Sequence, residues 1–594
     1  MTVLAELTAI DIAIDQGTQR LLELQNPEGY WVGELESNAT MIAQHLFWHH
    51  FLGLRTPELD RKLANELLAR RREDGTWAIW WDGPGDLSTT IEAYVALQMC
   101  GVDAGEATRR FIRRGGGIPR SRVFTKCFMA LLGHWPWQRI PSIPPELVLL
   151  PPSAPFSVYD FACWARQTIV ALSVVMALRP VRPASIDLRE LGSRPGQTRP
   201  PRRPGPTRRQ AIAVAERWVR DRQEADGSWG GIQPPWVWSI VMLAALGHGW
   251  EDDTLRLAIE GWRGFTIDEG ERLRPEACQS PVWDTGLALF ALRECGVSAD
   301  HPQLRKAAAW LISQEIRVEG DWAVRRPHLE PGGWAFEHEN DLYPDIDDAA
   351  VIALSLRRMG MGEAAVRRGL DWVVGMQSRN GGWGAFDADS QAMWLYKIPF
   401  CDFGKVTDEP TADVTAHVLE AIAPEGSYGD ATERGLRRLL ADQEADGSWY
   451  GRWGVNHIYG TGAALPALEA CGVPPGHPAV RGAVAWLDSV QQEHGGFGED
   501  IRSYADPAWR GRGFATPSQT AWALIGYVGG GAAESRAARR AADFLRRAQL
   551  GDGDWRESHF TGTGFPLDFM IRYHLYRLHF PLLALGRLRE RLNA

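Results

Sequence analysis

Apolar residues recur along this chain at intervals of three and four, the spacing of one face of an α-helix. The pattern is clear in Ala308-Ala309-Trp310-Leu311, Leu370-Trp372-Val373 and Val484-Trp486-Leu487, and in the run AAVIALSLRRM from Ala349 to Met359. Strand-type alternation is sparse, so the pattern predicts an all-α protein. Helical segments end on a recurring unit: a Gln, a short acidic-Gly turn, then an aromatic residue. It reads Gln25-NPEGY-Trp31, Gln223-EADGS-Trp229, Gln377-SRNGG-Trp383, Gln443-EADGS-Trp449, Gln491-QEHGG-Phe497 and Gln549-LGDGD-Trp555. A looser copy runs from Gln314 to Trp322, and another ending at Trp77 has Arg71 in place of the Gln. Asp-Gly and Gly-Gly supply a helix stop and a turn. A repeat on this scale predicts helix pairs arranged in a ring or barrel. The Gln amide is expected to bond exposed groups at a helix end, with the Trp ring packing over it and fastening the next helix.

Composition adds limits. The 594 residues carry a formal net charge of −10, with 45% hydrophobic and 23% charged residues, enough for one large core or two domains. The 27 tryptophans belong in good part to the repeat. Seven cysteines (Cys100, Cys127, Cys163, Cys278, Cys295, Cys401, Cys471) include no C-x-x-C pair, which argues against a disulfide framework or a cysteine zinc site. The first residues, MTVLAELTAIDIAIDQ, have no basic stretch before an apolar one, so a secretory signal is not expected. The longest nearly apolar run, Thr168 to Leu178, is too short to span a bilayer. The acidic balance argues against nucleic acid as a partner. Residues 179–209 break the pattern: rich in Arg and Pro and opposed only by Asp187 and Glu190, they read as an extended or disordered connection, or as a basic flap for an anionic lipid surface.

One stretch looks chemical. Gly332-Gly333-Trp334-Ala335-Phe336 leads to Asn340-Asp341-Leu342-Tyr343-Pro344-Asp345-Ile346-Asp347-Asp348, and then directly to the apolar helix pattern. Pro344 disfavours helix before it, which puts the acids at a helix N-terminus. Asp345 and Asp348 are three apart and should share a face, with Asp347 pointing elsewhere. Three close carboxyls cannot all ionise cheaply away from water, so one can stay protonated. Such a group could act as general acid on a base as weak as a carbon–carbon double bond. A capping Asp with two solvated neighbours is the plainer reading of the acids alone. The Asp-x-Asp-Asp spacing, with no following acid at helical spacing, does not suit a magnesium–diphosphate site, and no H-E-x-x-H or Walker-type sequence occurs.

Together these residues resemble the squalene–hopene cyclase family, the class II triterpene cyclases, over nearly the whole chain. The repeat resembles the family's Gln-Trp motif, and Asp345-Ile346-Asp347-Asp348 its acid motif. The run from Asp446 to Gly460 (DGSWYGRWGVNHIYG) is similar to its signature sequence. The resemblance implies two α/α-barrel domains, one formed by residues 1–35 plus 279–594, the other, 36–278, inserted in it. It implies metal-free and cofactor-free, proton-initiated cyclisation of squalene to a hopene-type pentacycle. Asp347 would be the proton donor, Asp345 and Asp348 its acidic neighbours, and His417 its hydrogen-bonded partner. Ring faces hold carbocations without trapping them. The family positions fall on Trp164, Trp283, Phe336, Phe386, Trp453, Tyr459, Phe565, Phe569, Tyr573 and Tyr576. A water-holding patch for the final deprotonation would use Ile232, Gln233, Gln44, Glu92 and Arg122. Substrate would enter near Phe161, Phe400, Cys401 and Asp402.

The chain departs from the family pattern at several points. Ala349 stands where a Thr usually follows the acids, Gln44 where hopene-forming members carry Glu, Phe386 where the cavity has Tyr, and His457 where Phe or Tyr is normal. The Arg/Pro-rich segment replaces an apolar membrane-dipping helix. The expected partners are an apolar polyprenoid and a membrane surface, with peripheral or monotopic attachment on the cytoplasmic side, or a partly soluble protein; a homodimer is left open. Three other readings stay open: a cyclase of a shorter or aromatic-capped polyprenoid, a non-catalytic isoprenoid-lipid binder, and another α/α-barrel enzyme such as a zinc protein prenyltransferase or a glycosidase. Three acids lining a purely apolar site speak against the binder, and the missing metal-ligand pattern against the last.

Overall fold

The computed structural model describes residues 3–402 and 404–593 and is predominantly helical. Six helices contact one another in a closed ring: Pro281–Glu294, Ile346–Met359, Ala412–Ile422, His457–Ala470, Pro517–Gly529 and Tyr576–Asn593, the last returning to the first. Each is backed by an outer helix, in the same order Pro302–Ser313, Glu363–Gly375, Gly429–Ala441, Pro478–Val490, Arg536–Ala548 and, from the start of the chain, Val3–Glu23. The sequence pattern accounts for the two layers. Inner Pro517–Gly529 is apolar or small almost all round and buries every residue to Val528, whereas outer Gly429–Ala441 buries only Ala431, Gly435 and Leu439.

A second core gathers around Thr40–Leu52, Leu87–Met99, Val123–Leu131, Cys163–Leu178 and Gln233–Ala245. Ile232 and Trp453 pack against both cores, which places the space between them at the centre of the molecule. Arg166, 2% exposed, ties the two together through Asp321 (2.8 Å) and Asp387 (3.0 Å), and Arg222 reaches Asp321 at 2.6 Å. A guanidinium buried this deeply persists only with such partners. Strands are few: Leu35–Glu36 and Gly562–Phe565 flank Phe569–Tyr573 in an antiparallel sheet, and Thr266–Asp268 pairs with Leu273–Pro275.

The repeat works with its parts exchanged relative to expectation. The indole N–H groups of Trp31, Trp77, Trp229, Trp383 and Trp449 donate at 2.7 Å to the carbonyls of Leu21, Leu67, Val219, Val373 and Leu439, and Trp555 to Leu545 at 2.8 Å. These are carbonyls of the last turn of the preceding helix, which have no partner within it. It is the Gln that reaches the following helix. Gln377 Nε2 donates to Gly381 O (2.8 Å) in its own turn and to Ala431 O (2.9 Å) in the next outer helix; Gln443 does the same with Gly447 and Ala479, and Gln491 with Gly495 and Ala537. Gln549 closes the circle by donating to Ala13. In the looser copy, Trp322 Nε1 has no partner among the described residues, and Trp334 takes its place by donating to Leu311 O at 2.7 Å.

The Arg/Pro-rich segment is a docked strap. The backbone N–H groups of Arg182, Ala184 and Arg194 donate to Leu131, Leu132 and His134, while Leu188 and Leu191 are buried. Its last residues belong to the helix Pro206–Arg220, so the irregular stretch ends before Arg209.

Candidate active site

The three acids cluster where the chain enters the inner helix Ile346–Met359. Asp345 is the N-cap: its carboxylate accepts from the N–H of Asp347 (2.7 Å) and of Asp348 (3.3 Å), and its own N–H donates to Trp334 O. A capping residue lies outside the helical spiral, so wheel geometry does not separate the acids, and all three line one cavity. Burial, reinforced by the charges of its neighbours, pushes the carboxyls of Asp345 and Asp348 well above their usual range. Asp347 turns toward the adjacent inner helix, where His417 Nδ1 lies 2.6 Å from its Oδ1. Burial alone would lower the pKa of His417; the charge and hydrogen bond of Asp347 outweigh it and raise it to about 9. That rise belongs to the state in which Asp347 is a carboxylate, so the imidazolium is the partner of the anion that remains once Asp347 has given up a proton.

All ten of the expected aromatic residues line this cavity. One group stands near the acids. Trp283 Nε1 donates to Tyr576 Oη at 2.9 Å, Tyr573 stacks on Tyr576 at 4.2 Å, Phe336 meets Tyr573 edge-on at 6.4 Å, and Tyr459 faces the His417 ring at 6.0 Å. The other group centres on Trp164, with Phe386, Trp453 and Phe565 5.8 to 6.2 Å from it and Phe569 beyond. Carboxylates that sequence reasoning did not single out set these rings. Asp413 accepts from the N–H groups of Arg452 and Trp453, and Asp408 from those of Ala385, Phe386 and Asp387. Asp408 lies in the loop before the inner helix Ala412–Ile422 and Asp413 in that helix's first turn, and only the fold brings them under the aromatics.

A second cavity adjoins the first through Trp164, Ile232, Phe565 and Phe569, and it contains the expected polar patch. Gln233 Nε2 donates to Gln44 Oε1 (3.0 Å), Gln44 Nε2 to Glu92 Oε2 (2.8 Å), and Thr125 Oγ1 to the other oxygen of Glu92. Burial lifts Glu92 to about 7 against these hydrogen bonds. Arg122 lines the same cavity but pairs with Asp86 at 2.7 Å. Phe161, Phe400, Cys401 and Asp402 line neither cavity: the first three are buried, and Asp402 accepts from the N–H of Val123 on a neighbouring helix. His457 is held by Glu499 (3.0 Å), which also accepts from the N–H of Ile458 at the helix start. Sequence reasoning missed Gln167, Glu337 and Asn340, buried polar residues that line the main cavity.

Among the described residues, one group has donor atoms close enough for a metal: Glu34, Glu36 and His574. Arginines already occupy it, Arg274 on Glu34 (2.6 Å) and Arg70 and Arg572 on Glu36 (3.2 and 3.1 Å). Despite burial, the His574 hydrogen bond and these cations hold Glu36 at about 2.

Comparison with known proteins places the chain that carries this arrangement. The N-terminal domain model of squalene–hopene cyclase matches residues 14–204 and 196–271, and its C-terminal domain model residues 279–590. The squalene–hopene cyclases of Alicyclobacillus acidocaldarius and Zymomonas mobilis are 45% and 38% identical to this chain; the alignments cover 99% and 98% of it, and 99% and 95% of theirs. The dammaradiene synthase of Dryopteris crassirhizoma is 36% identical over 98% of this chain and 94% of its own. Among solved structures, the ent-copalyl diphosphate synthase of Streptomyces platensis superposes with a TM-score of 0.53 at 16% identity, covering 97% of this chain and 99% of that one, a likeness of fold. On these grounds the chain belongs to the squalene–hopene cyclase family.

Proposed function

We propose that the protein cyclises squalene to a hopene-type pentacyclic triterpene, with Asp347 as the general acid. The observation that carries this is the Asp347–His417 pair, at 2.6 Å, placed at the end of an aromatic-lined cavity. The imidazolium stabilises the carboxylate left when the proton leaves, while burial and mutual repulsion disfavour the charged forms of Asp345 and Asp348 and so limit the opposing charge. The first C–H bond forms at the terminal alkene carbon as the Asp347 O–H bond breaks. Cationic carbon then passes along the ring faces, each worth about 2 kcal/mol when desolvated, until a proton is lost to water held by the Gln44–Glu92–Gln233 patch. No step calls for a metal or an organic cofactor.

The domain division 1–35 plus 279–594 around 36–278 belongs to the same reading, and the two cores support it. So does contact with a membrane surface, from which so apolar a substrate would be drawn. No helix among the described residues is long and apolar enough to cross a bilayer. Phe156, held at φ +68° and 55% exposed, meets Trp394 edge-on at 4.5 Å beside exposed Met393, an apolar patch suited to shallow contact.

The test is gas chromatography–mass spectrometry of the purified protein with squalene in mild detergent and chelator, beside Asp347→Asn. A pentacyclic product from the wild type alone is expected. Conversion only of shorter polyprenoids would replace the substrate, and chelator-sensitive turnover would sink the metal-free mechanism.

A further inference from the structure

Every turnover in the reading above takes a proton from the acid trio and releases one at the far patch, so the trio must be reloaded from solvent. Asp345, Asp347 and Asp348 are 6, 8 and 1% exposed and cannot meet bulk water directly. Four buried oxygens without hydrogen-bond partners among the described residues belong to side chains that line the cavity: Asp348 Oδ2, Asn340 Oδ1, Gln167 Oε1 and Glu337 Oε1. Gln167, Glu337 and Asn340 are each at least nine-tenths buried. Buried polar atoms left without protein partners are where ordered water binds.

Further acids surround Glu337. The Glu337 carboxyl lies in the fields of Glu224, Asp226 and Glu339, and Glu224, whose Oε1 also lacks a partner, accepts from the backbone of Asp341. Glu224 is buried, Asp226 and Glu339 are half-buried, and Asp341 is exposed, so burial falls stepwise from the cavity to solvent. Burial and mutual repulsion lift Glu224 to about 9 and Glu337 well above the carboxylate range. Glu224 is therefore neutral at pH 7, and Glu337 holds a proton more tightly than a free carboxyl; a protonated carboxyl can accept a proton on one oxygen while giving one from the other. The backbone makes room for this: Gly231 sits at φ +56°, and a Cβ there would fall 1.3 Å from Glu337 Oε1.

We propose that Glu224 and Glu337, with water held on Gln167 and Asn340, form the route by which solvent protons return to the Asp345–Asp347–Asp348 trio after each turnover. The step balances: the proton lost to water at the Gln44 patch is replaced by one from solvent, passed carboxyl to water to carboxyl, with no oxidant or co-reactant. The inference rests on the cyclase reading. Glu337 is a positioning residue for protons and makes no bond to the substrate.

The experiment is rapid-quench product analysis with enzyme in slight excess and then with substrate in excess, for wild type, Glu337→Gln and Glu224→Gln, each checked by thermal melting. The first equivalent of product should form within about twofold of the wild-type rate, because the acid is already loaded. The steady-state rate should drop roughly tenfold or more, and Glu337→Asp should restore part of it. Both phases at wild-type rates, or both falling together, would overturn the proposal. Absence of cyclised product from the wild type would instead fell the cyclase reading itself, and this inference with it.

Discussion

Replacing His417 by Gln removes the one cation beside the acid while keeping a polar side chain of similar reach. The structure sets the scale. Unit charges 2.6 Å apart attract by about 6 kcal/mol at an effective dielectric constant of about 20, which is a ceiling because burial of both groups offsets much of it. A hydrogen bond to a charged partner has a net worth of about 1.5–3 kcal/mol. Since the imidazolium favours the carboxylate formed during proton transfer, that loss falls on the barrier, and kcat should drop roughly 10- to 150-fold. KM should stay near the wild-type value, because His417 stands behind Asp347 and does not line the substrate cavity. Initial rates of squalene loss, measured across substrate concentration in detergent with melting curves alongside, decide the matter. A kcat within about threefold of wild type, or a change confined to KM, would refute the role given to the pair.

Three further outcomes follow from the geometry. The folded pKa of His417, about 9, lies above its unfolded value of about 6.5. Its contribution is thus fully present below about pH 6.5 and lost as pH rises through about 9, so wild-type melting temperature and kcat should fall on an alkaline limb that His417→Gln lacks. Gln377→Leu removes hydrogen bonds to the carbonyls of Gly381 and Ala431. At about 1 kcal/mol each this lowers the melting temperature by about 3 °C with kcat unchanged, and calorimetry that finds no shift would count against the tie between helices. Gln44→Glu sets two carboxyls within hydrogen-bonding distance in the terminal patch, so it should raise Glu92 above its present value of about 7. The ratio of alkene to alcohol product should change while total turnover holds, as read by mass spectrometry.

The helical pattern and the Gln-turn-Trp unit made the scaffold legible before any coordinate was known, because both are local. A last-turn carbonyl and an indole ten residues on belong to one stretch of chain. The positions of the acids and of the aromatic set came from motif order, and the structure brings them to one cavity. What stayed hidden is non-local. Asp408 and Asp413 are ordinary acids until folding sets them under the backbone of Phe386 and Trp453. Gln167 lies within the inserted stretch and Glu337 beyond it, so nothing in either neighbourhood announces that they share a wall. The exchange of roles between Gln and Trp was also beyond sequence, since which helix each side chain reaches depends on the ring closing.

That closure bears on how the molecule is made. The outer helix Val3–Glu23 backs the inner helix Tyr576–Asn593, and the Gln549 amide holds the Ala13 carbonyl across 536 positions of sequence. A ribosome releases the first helix long before its seat exists. The second core, built mostly from residues 39–265 with later additions such as Tyr343 and Phe400, can largely settle during synthesis, while the early helix must wait, solvated or guarded by a chaperone, until the final inner helix emerges. Loop-closure entropy makes the last contact the slowest. A slow post-translational phase, sensitive to anything fused ahead of Val3, is therefore written into the connectivity of the ring.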